Sequence, residues 1–154
     1  MMGSYRRFGL MILVSTLVMY GLMYLNTYEL AHVHFSQTRA WMALVMGAAM
    51  AIVMLAFMRG MYKDKRTNGA IFAGAALLFV AALWLVRSQS TVDDVSYMRA
   101  MIPHHSIAIM TSERARISDP RVRKLADGIA ATQRKEIAEM EALIADIERQ
   151  EAQR

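Results

Sequence analysis

Residues 40–58 read AWMALVMGAAMAIVMLAFM, a run of 19 residues without a charged side chain. Two further segments, Phe8–Leu25 and Ala70–Val86, also lack Asp, Glu, Lys and Arg. A helix of this length rises roughly 25 to 29 Å, close to the hydrocarbon thickness of a bilayer. The sequence therefore predicts three transmembrane helices, over about residues 8–25, 40–58 and 70–86. The alternative is a soluble bundle of buried helices, but such helices normally carry a polar face.

Basic side chains gather on one side of these segments. Two precede the first segment, and four separate the second from the third: Arg6 and Arg7, then Arg59, Lys63, Lys65 and Arg66. The loop Asn26–Arg39 holds only Arg39. Because cytoplasmic loops are enriched in Lys and Arg, we predict a bacterial inner-membrane protein with a cytoplasmic N-terminus and a periplasmic C-terminal part. We expect the first segment to remain as an anchor, since no A-x-A-like cleavage site follows it.

The composition changes after Arg87, from apolar runs to a charged and periodic sequence. We predict an all-α chain with a membrane domain at residues 1–89 and a helical, extracytoplasmic domain at residues 90–154. The net charge of +5 comes from the membrane part, because residues 90–154 hold ten basic side chains against eleven acidic ones. We therefore expect the lipid bilayer, and no nucleic acid, among the partners.

The second domain has the pattern of a helical hairpin. Thr91 and Asp94 have capping-box spacing and predict the start of a helix that runs to about Arg116. Asp119 as N-cap, with Pro120 at the first helical position, predicts a second helix that continues close to the C-terminus. A hairpin of this size leaves much of its apolar stripe uncovered. We therefore predict a homodimer in which two hairpins form a four-helix bundle.

The segment Tyr97–Met110 reads YMRAMIPHHSIAIM and carries the soft metal donors of the hairpin. At about 100° per residue, one helix face holds two imidazoles and two thioethers: Met98, Met101, His104 and His105. The second helix opposes them with Gln133, Glu136 and Met140, and Glu136 is a further candidate ligand. Thioether with imidazole suits Cu(I), and a chain without Cys has no thiolate site. The alternative is that Met fills the core and the His pair makes only hydrogen bonds.

Pro103 lies one turn into this segment. Inside a helix it removes one backbone hydrogen bond and predicts a kink just before the His pair. The alternative is that Pro103 begins the main helix and that the preceding residues form a separate turn.

The residues of the hairpin also resemble a known family. The resemblance is carried by Met101-Ile102-Pro103-His104-His105 and, farther along, by Gln133, Glu136, Ile137 and Met140. Over about residues 90–148 the chain resembles the CopM-like family of periplasmic copper-binding proteins, long catalogued as a domain of unknown function. The resemblance implies a ferritin-like helical bundle that binds copper, largely Cu(I), in copper tolerance.

Carried over position by position, the resemblance implies five metal ligands: Met98, Met101, His104, His105 and Met140. Thr111 stands where the family commonly has another methionine, so we expect the affinity or stoichiometry to differ. The resemblance does not extend to the three apolar segments.

Two other groups of possible ligands lie outside the hairpin. Methionine recurs at every fourth residue of the second apolar segment, at Met42, Met46, Met50, Met54 and Met58. Because steps of four drift by about 40° each, this row winds around the helix, and we interpret it as packing rather than as a copper channel. His32 and His34 follow the first segment and are candidates for an auxiliary copper site.

Together these patterns predict a membrane-anchored, extracytoplasmic copper-binding protein that sequesters or transfers Cu(I) in copper tolerance. It is not expected to be an enzyme, and any copper-handling partner protein is unknown. The alternatives are a structural or oligomerisation module without metal function, and a transporter that acts through the membrane methionines.

Overall fold

The computed structural model describes residues 2–153, and every regular element in that range is helical. The five α-helices are α1 (Met2–Leu22), α2 (Gln37–Phe57), α3 (Lys65–Ser88), α4 (Asp94–Arg114) and α5 (Pro120–Ala152). A short 3₁₀ helix, Leu30–His32, lies in the connection between α1 and α2. The prediction of an all-α chain is therefore confirmed for the described residues.

The helices form two compact units, and each unit combines two separate stretches of chain. The first unit contains the segment that ends at Met23 together with Thr38–Thr91. The second contains Tyr24–Gln37 together with the chain from Val92 onward. Residues 24–37, which the sequence analysis placed in the membrane domain, thus group with the C-terminal hairpin.

Two helices of the first unit are long and apolar enough to cross a membrane: Gln37–Phe57 and Lys65–Ser88. Only 28% and 11% of their most apolar windows are buried within the protein. A core helix of a soluble protein would be mostly buried, so this exposure fits helices that face lipid. Among the described residues α1 does not reach the same apolar composition, because Arg6 and Arg7 lie inside the helix.

Helices α1 and α2 approach closely where Gly47 meets Thr16. A Cβ atom at position 47 would overlap with Oγ1 of Thr16, far inside van der Waals contact. The Thr16 hydroxyl is held in place because it donates a hydrogen bond to the Ile12 carbonyl oxygen at 2.8 Å. Glycine at this position therefore permits the close packing that small residues give to membrane helices.

Replacing Gly47 by leucine should therefore force α1 and α2 apart. We expect Gly47→Leu to destabilise the first unit by about 1–3 kcal/mol, the usual cost of overpacking. Thermal unfolding of the full chain in detergent micelles would measure the loss. Gly74→Leu is the matched control, because nothing lies within 4 Å of a Cβ atom at that position. Equal unfolding temperatures for the two variants would contradict this account of the packing.

The hairpin of the second unit is built on one apolar cluster. Its buried members are Met98, Ile102, Ile109, Ile137 and Ile144, and Tyr28, Val95, Met140 and Ile147 pack around them. Helix α4 begins after Asp93, whose carboxylate accepts a hydrogen bond from the Ser96 amide at 2.7 Å. Thr91 is therefore not the cap, and that prediction was wrong by two residues. Asp119 caps α5, with Pro120 at the first position, as predicted.

Helix α4 continues through Pro103, which lies inside the helix and is fully buried. The alternative in which Pro103 begins a separate main helix is therefore wrong. The donors before and after the proline share one helix, so their relative directions follow from helical geometry.

Glu113 and Arg134 link the two helices near the turn of the hairpin. Hydrogen bonds from Arg134 and from the Tyr28 hydroxyl hold the pKa of Glu113 below its ordinary value of 4.5. Because the pKa of Glu113 is lower in the folded chain than in the unfolded chain, the ionised carboxylate stabilises the fold at pH values above the unfolded-state pKa. This stabilisation is lost as the pH falls through the folded-state pKa.

Acidification below about pH 4.5 should consequently weaken the second unit. We expect the unfolding temperature of the full chain to fall across this range, and Glu113→Gln to remove part of the fall. Glu141→Gln, at an exposed position on α5, serves as control. If Glu113→Gln left the pH dependence unchanged, the link would contribute nothing to stability.

Candidate metal site

An open groove of about 630 Å³ runs along one side of the α4–α5 pair. Apolar surface makes up most of its wall, and the polar groups are few. Three thioethers line the groove, from Met98 and Met101 of α4 and from Met140 of α5. They are joined by the imidazole of His105 and by three carboxylates, those of Asp94, Glu136 and Glu139. Four of the five ligands implied by the resemblance therefore lie at one groove.

The thioethers differ in their exposure to solvent. Met98 is only 7% exposed and belongs to the apolar cluster of the hairpin, whereas Met101 and Met140 are half-buried. Met98 and Met101 lie three residues apart on α4, which places them on one side of the helix. The groove thus has a sulfur-lined floor with access from solvent.

His105 is the best-defined polar group of the groove. Its Nε2 lies 2.8 Å from Oε2 of Glu136, and the same carboxylate oxygen accepts a hydrogen bond from Nε2 of Gln133 at 3.2 Å. An ionised carboxylate can only accept hydrogen bonds, so we assign the proton to Nε2 of His105. The other ring nitrogen, Nδ1, then carries a lone pair; it is buried and makes no hydrogen bond.

His104 is placed differently from its neighbour. It is exposed to solvent, its ring centroid lies 6.3 Å from that of His105, and it does not line the groove. Consecutive side chains of an α-helix point about 100° apart. When His105 lines the groove, His104 therefore points away from it.

The loop histidines also lie outside the groove. Nδ1 of His32 is 3.0 Å from the hydroxyl of Ser106 on α4, and its Nε2 is 3.9 Å from a carboxylate oxygen of Glu29. His34 has a buried Nε2 without a hydrogen-bond partner. The structure therefore brings His32 to the side of α4 that Ser106 occupies, and not to the methionines.

This contact is part of a packing surface that the sequence analysis missed. Ser106 is completely buried, and its hydroxyl also accepts a hydrogen bond from the Tyr28 amide at 2.9 Å. The Tyr28 ring packs against the apolar cluster and lies 5.1 Å from the guanidinium of Arg114. A loop without apolar periodicity gives no sequence signal for such packing. Ser106 itself, between the His pair and the apolar residues 107–110 of α4, gives no more than a weak clue.

Removing the Ser106 hydroxyl should loosen the loop from α4. We expect Ser106→Ala to destabilise the second unit by about 1–3 kcal/mol, because the partly buried Tyr28 amide would lose its acceptor. Ser112→Ala is a matched control at another buried serine of the same helix. Amide hydrogen exchange across residues 24–37 would show the effect directly, as faster exchange in Ser106→Ala alone. Unchanged exchange would contradict the role of this hydroxyl.

Within residues 2–153 no group of three or more His, Cys, Asp or Glu side chains is arranged to hold a metal ion. The groove instead offers thioether sulfur, a donor outside that class.

Comparison with known proteins shows what the hairpin is similar to but not what it does. Residues 94–154 match a family described as Domain of unknown function (DUF305). An uncharacterized protein of Acanthamoeba polyphaga mimivirus, L153, is 38% identical over 69 residues, which cover 44% of this chain and 45% of that protein. The chain thus spans less than half the length of this relative. No solved structure gives a significant match.

The family match begins at Asp94, the first residue of α4, and takes in the whole of α5. It supports the resemblance of the hairpin to a domain of unknown function. Copper binding, which the CopM-like resemblance implied, stays a prediction.

Proposed function

We propose that the groove binds Cu(I), and that the protein holds or passes on this cation outside the cytoplasm while anchored in a bacterial inner membrane. The observation that supports the proposal most strongly is the state of His105. Its Nε2 contacts a carboxylate while its Nδ1 is buried without a partner. Metal-binding histidines commonly donate one ring N–H to a carboxylate, which leaves the other nitrogen free to coordinate.

The neighbouring donors favour a soft cation. Met98, Met101 and Met140 line the same groove, and thioether sulfur prefers Cu(I) to Mg²⁺, Ca²⁺ or Zn²⁺. Uncharged sulfur and imidazole donors leave the positive charge of the ion uncompensated. Asp94, Glu136 and Glu139 supply negative charge around the groove and would attract a cation.

The grouping of the chain supports the proposed topology. Residues 24–37 share a compact unit with the hairpin, which supports a topology with the loop and the hairpin on the same side of the membrane. Within the first unit, Thr38 and Trp41 at the start of α2 bond to Gln89 and Thr91 just beyond α3. This is the arrangement that two antiparallel spans produce. Basic residues between α2 and α3 favour a cytoplasmic position for that turn.

A structural module without metal function is the second candidate, and the position of Met98 favours it. This side chain is almost completely buried among isoleucines, where methionine also serves as a flexible apolar filler. The two candidates differ in what happens when sulfur is replaced by carbon. Leucine preserves most of the apolar volume of methionine but cannot bind a metal.

Titration of the full chain in detergent micelles with Ag(I), a stable substitute for Cu(I), tests the proposal. We expect His105→Ala and the double variant Met101→Leu/Met140→Leu each to weaken the tightest binding by at least about tenfold. His104→Ala is the matched control, because the adjacent imidazole is exposed and lies outside the groove. Isothermal calorimetry or competition with a chelator would give the affinities.

Two outcomes would contradict the proposal. Equal binding by the parent chain and the Met101→Leu/Met140→Leu variant would place the metal elsewhere, for instance along the methionines of α2. A larger loss in His104→Ala than in His105→Ala would show that the exposed imidazole, and not the groove, holds the ion.

A further inference from the structure

Helix α5 carries a second apolar face that is left exposed by the part of the chain that the structure describes. The residues that face α4 are Ala126, Ala130, Ile137 and Ile144, all buried. Four large apolar side chains on α5 are instead 40–64% exposed: Val122, Leu125, Ile129 and Leu143. At about 100° per residue these four form one stripe, roughly a quarter-turn from the buried face, which also passes Glu136 and Met140 at the groove.

Basic and acidic residues of α5 are separated along the helix, and the division falls at Glu136. Residues 121–135 hold five basic side chains and one acidic one, whereas residues 136–152 hold six acidic side chains and one basic one. The helix therefore has a positive half and a negative half that meet at Glu136. Two such helices attract each other when they run antiparallel and repel each other when they run parallel.

We propose that two copies of the chain pair through this stripe, with their α5 helices antiparallel and crossing near Glu136. The apolar residues are spaced to match. Ile129 and Leu143 each lie seven residues from Glu136, and Leu125 and Ile147 each lie eleven, so each packs against the other member of its pair in the second copy. The apolar stripe thus becomes buried along its whole length.

The edge of the stripe adds complementary charge. Lys124, Lys135, Glu139 and Asp146 are all exposed and lie along one side of it. In an antiparallel pair, this charged edge of one α5 helix lies beside the same edge of the other α5 helix. Lys135 then lies opposite Glu139 of the second copy, and Lys124 lies opposite Asp146 of the second copy.

A second copy fits this surface better than a membrane does. The basic half of α5 suits an anionic lipid surface, but the acidic half, with six carboxylates, would be repelled from it. Only a surface with the opposite arrangement of charges satisfies both halves, and another α5 provides it.

Pairing also completes the groove. Glu136, Met140 and Leu143 line the groove and belong to the stripe, so the α5 helix of the second copy covers its open side. This part of the inference rests on the proposed function. A covered groove excludes water from the soft donors and holds a bound cation longer.

The absence of cysteine from the chain permits a direct test by cross-linking. Two single-cysteine chains, Ile129→Cys and Leu143→Cys, are prepared in detergent micelles, mixed under metal-free conditions and treated with a short bis-maleimide. In the antiparallel pair these two positions face each other, whereas Ile129 lies about 20 Å along the axis from Ile129 of the second copy. We therefore expect a cross-linked dimer from the mixture and little from either chain alone.

Ala131→Cys mixed with Glu141→Cys is the matched control, since these exposed positions lie equally far from Glu136 but outside the stripe. Cross-linking of Ile129→Cys with itself would indicate a parallel pair and overturn the proposal. So would equal cross-linking in the control, or no cross-linked dimer at all.

The charge-reversal variant Lys124→Glu/Lys135→Glu separates this inference from the proposed function. We expect it to lose the dimer by sedimentation in micelles, and mixing it with Glu139→Lys/Asp146→Lys to restore a mixed dimer. The monomeric variant should still bind Ag(I), with an affinity reduced several-fold. Persistence of the dimer would refute the pairing whatever the groove binds, whereas loss of the dimer with unchanged Ag(I) affinity would refute only the closure of the groove.

Discussion

Helix α4 is covered from two sides, and the second unit depends on that constraint. On one side Ile102 and Ile109 pack against α5, and on another the hydroxyl of Ser106 accepts a hydrogen bond from the loop between α1 and α2. Each contact is modest by itself, since a net hydrogen bond contributes only about 1 kcal/mol. Together they define the rotation of α4 about its axis. That rotation decides which of two adjacent histidines enters the groove.

The groove combines features that are costly in a small domain. A buried imidazole nitrogen without a hydrogen bond and thioethers at a solvent-accessible surface contribute little to folding. Alanine or leucine would pack these positions without an unsatisfied polar atom. The soft cation that we propose would coordinate both nitrogen and sulfur, and it would account for both features at once. In that proposal Glu136, which contacts Nε2 of His105, would orient the ring and would not itself bind the ion.

The sequence predicted the helices well where the signal was local. The uncharged runs located α2 and α3, and Asp119 with Pro120 located the start of α5. The Thr91 cap was wrong because Asp93 is an equally competent acceptor and lies closer to the first helical amide. Local signals of this kind distinguish poorly between positions two residues apart.

Sequence reasoning could not predict the features that depend on contacts between residues far apart in the chain. The packing of Tyr28 and His32 on α4 joins residues more than 70 positions apart. The loop has no periodic pattern from which this packing could be predicted. A helical wheel places His104 and His105 within one broad face. Only the position of α5 shows that His105 lines the groove whereas His104 is exposed outside it. The helical pattern identified the thioethers and placed Glu136 opposite the His pair, but it could not show that Glu136 contacts His105 in particular.

The central claim is that sulfur from α4 and α5 meets at one soft cation beside His105. NMR of the full chain with labelled methionine methyl groups, recorded during addition of Ag(I), tests it most directly. The account expects the first equivalent to shift the methyl signals of Met98, Met101 and Met140 while the methionines of α2 stay unchanged. Shifts confined to Met42, Met46, Met50, Met54 or Met58, with the three groove methionines unaffected, would contradict it.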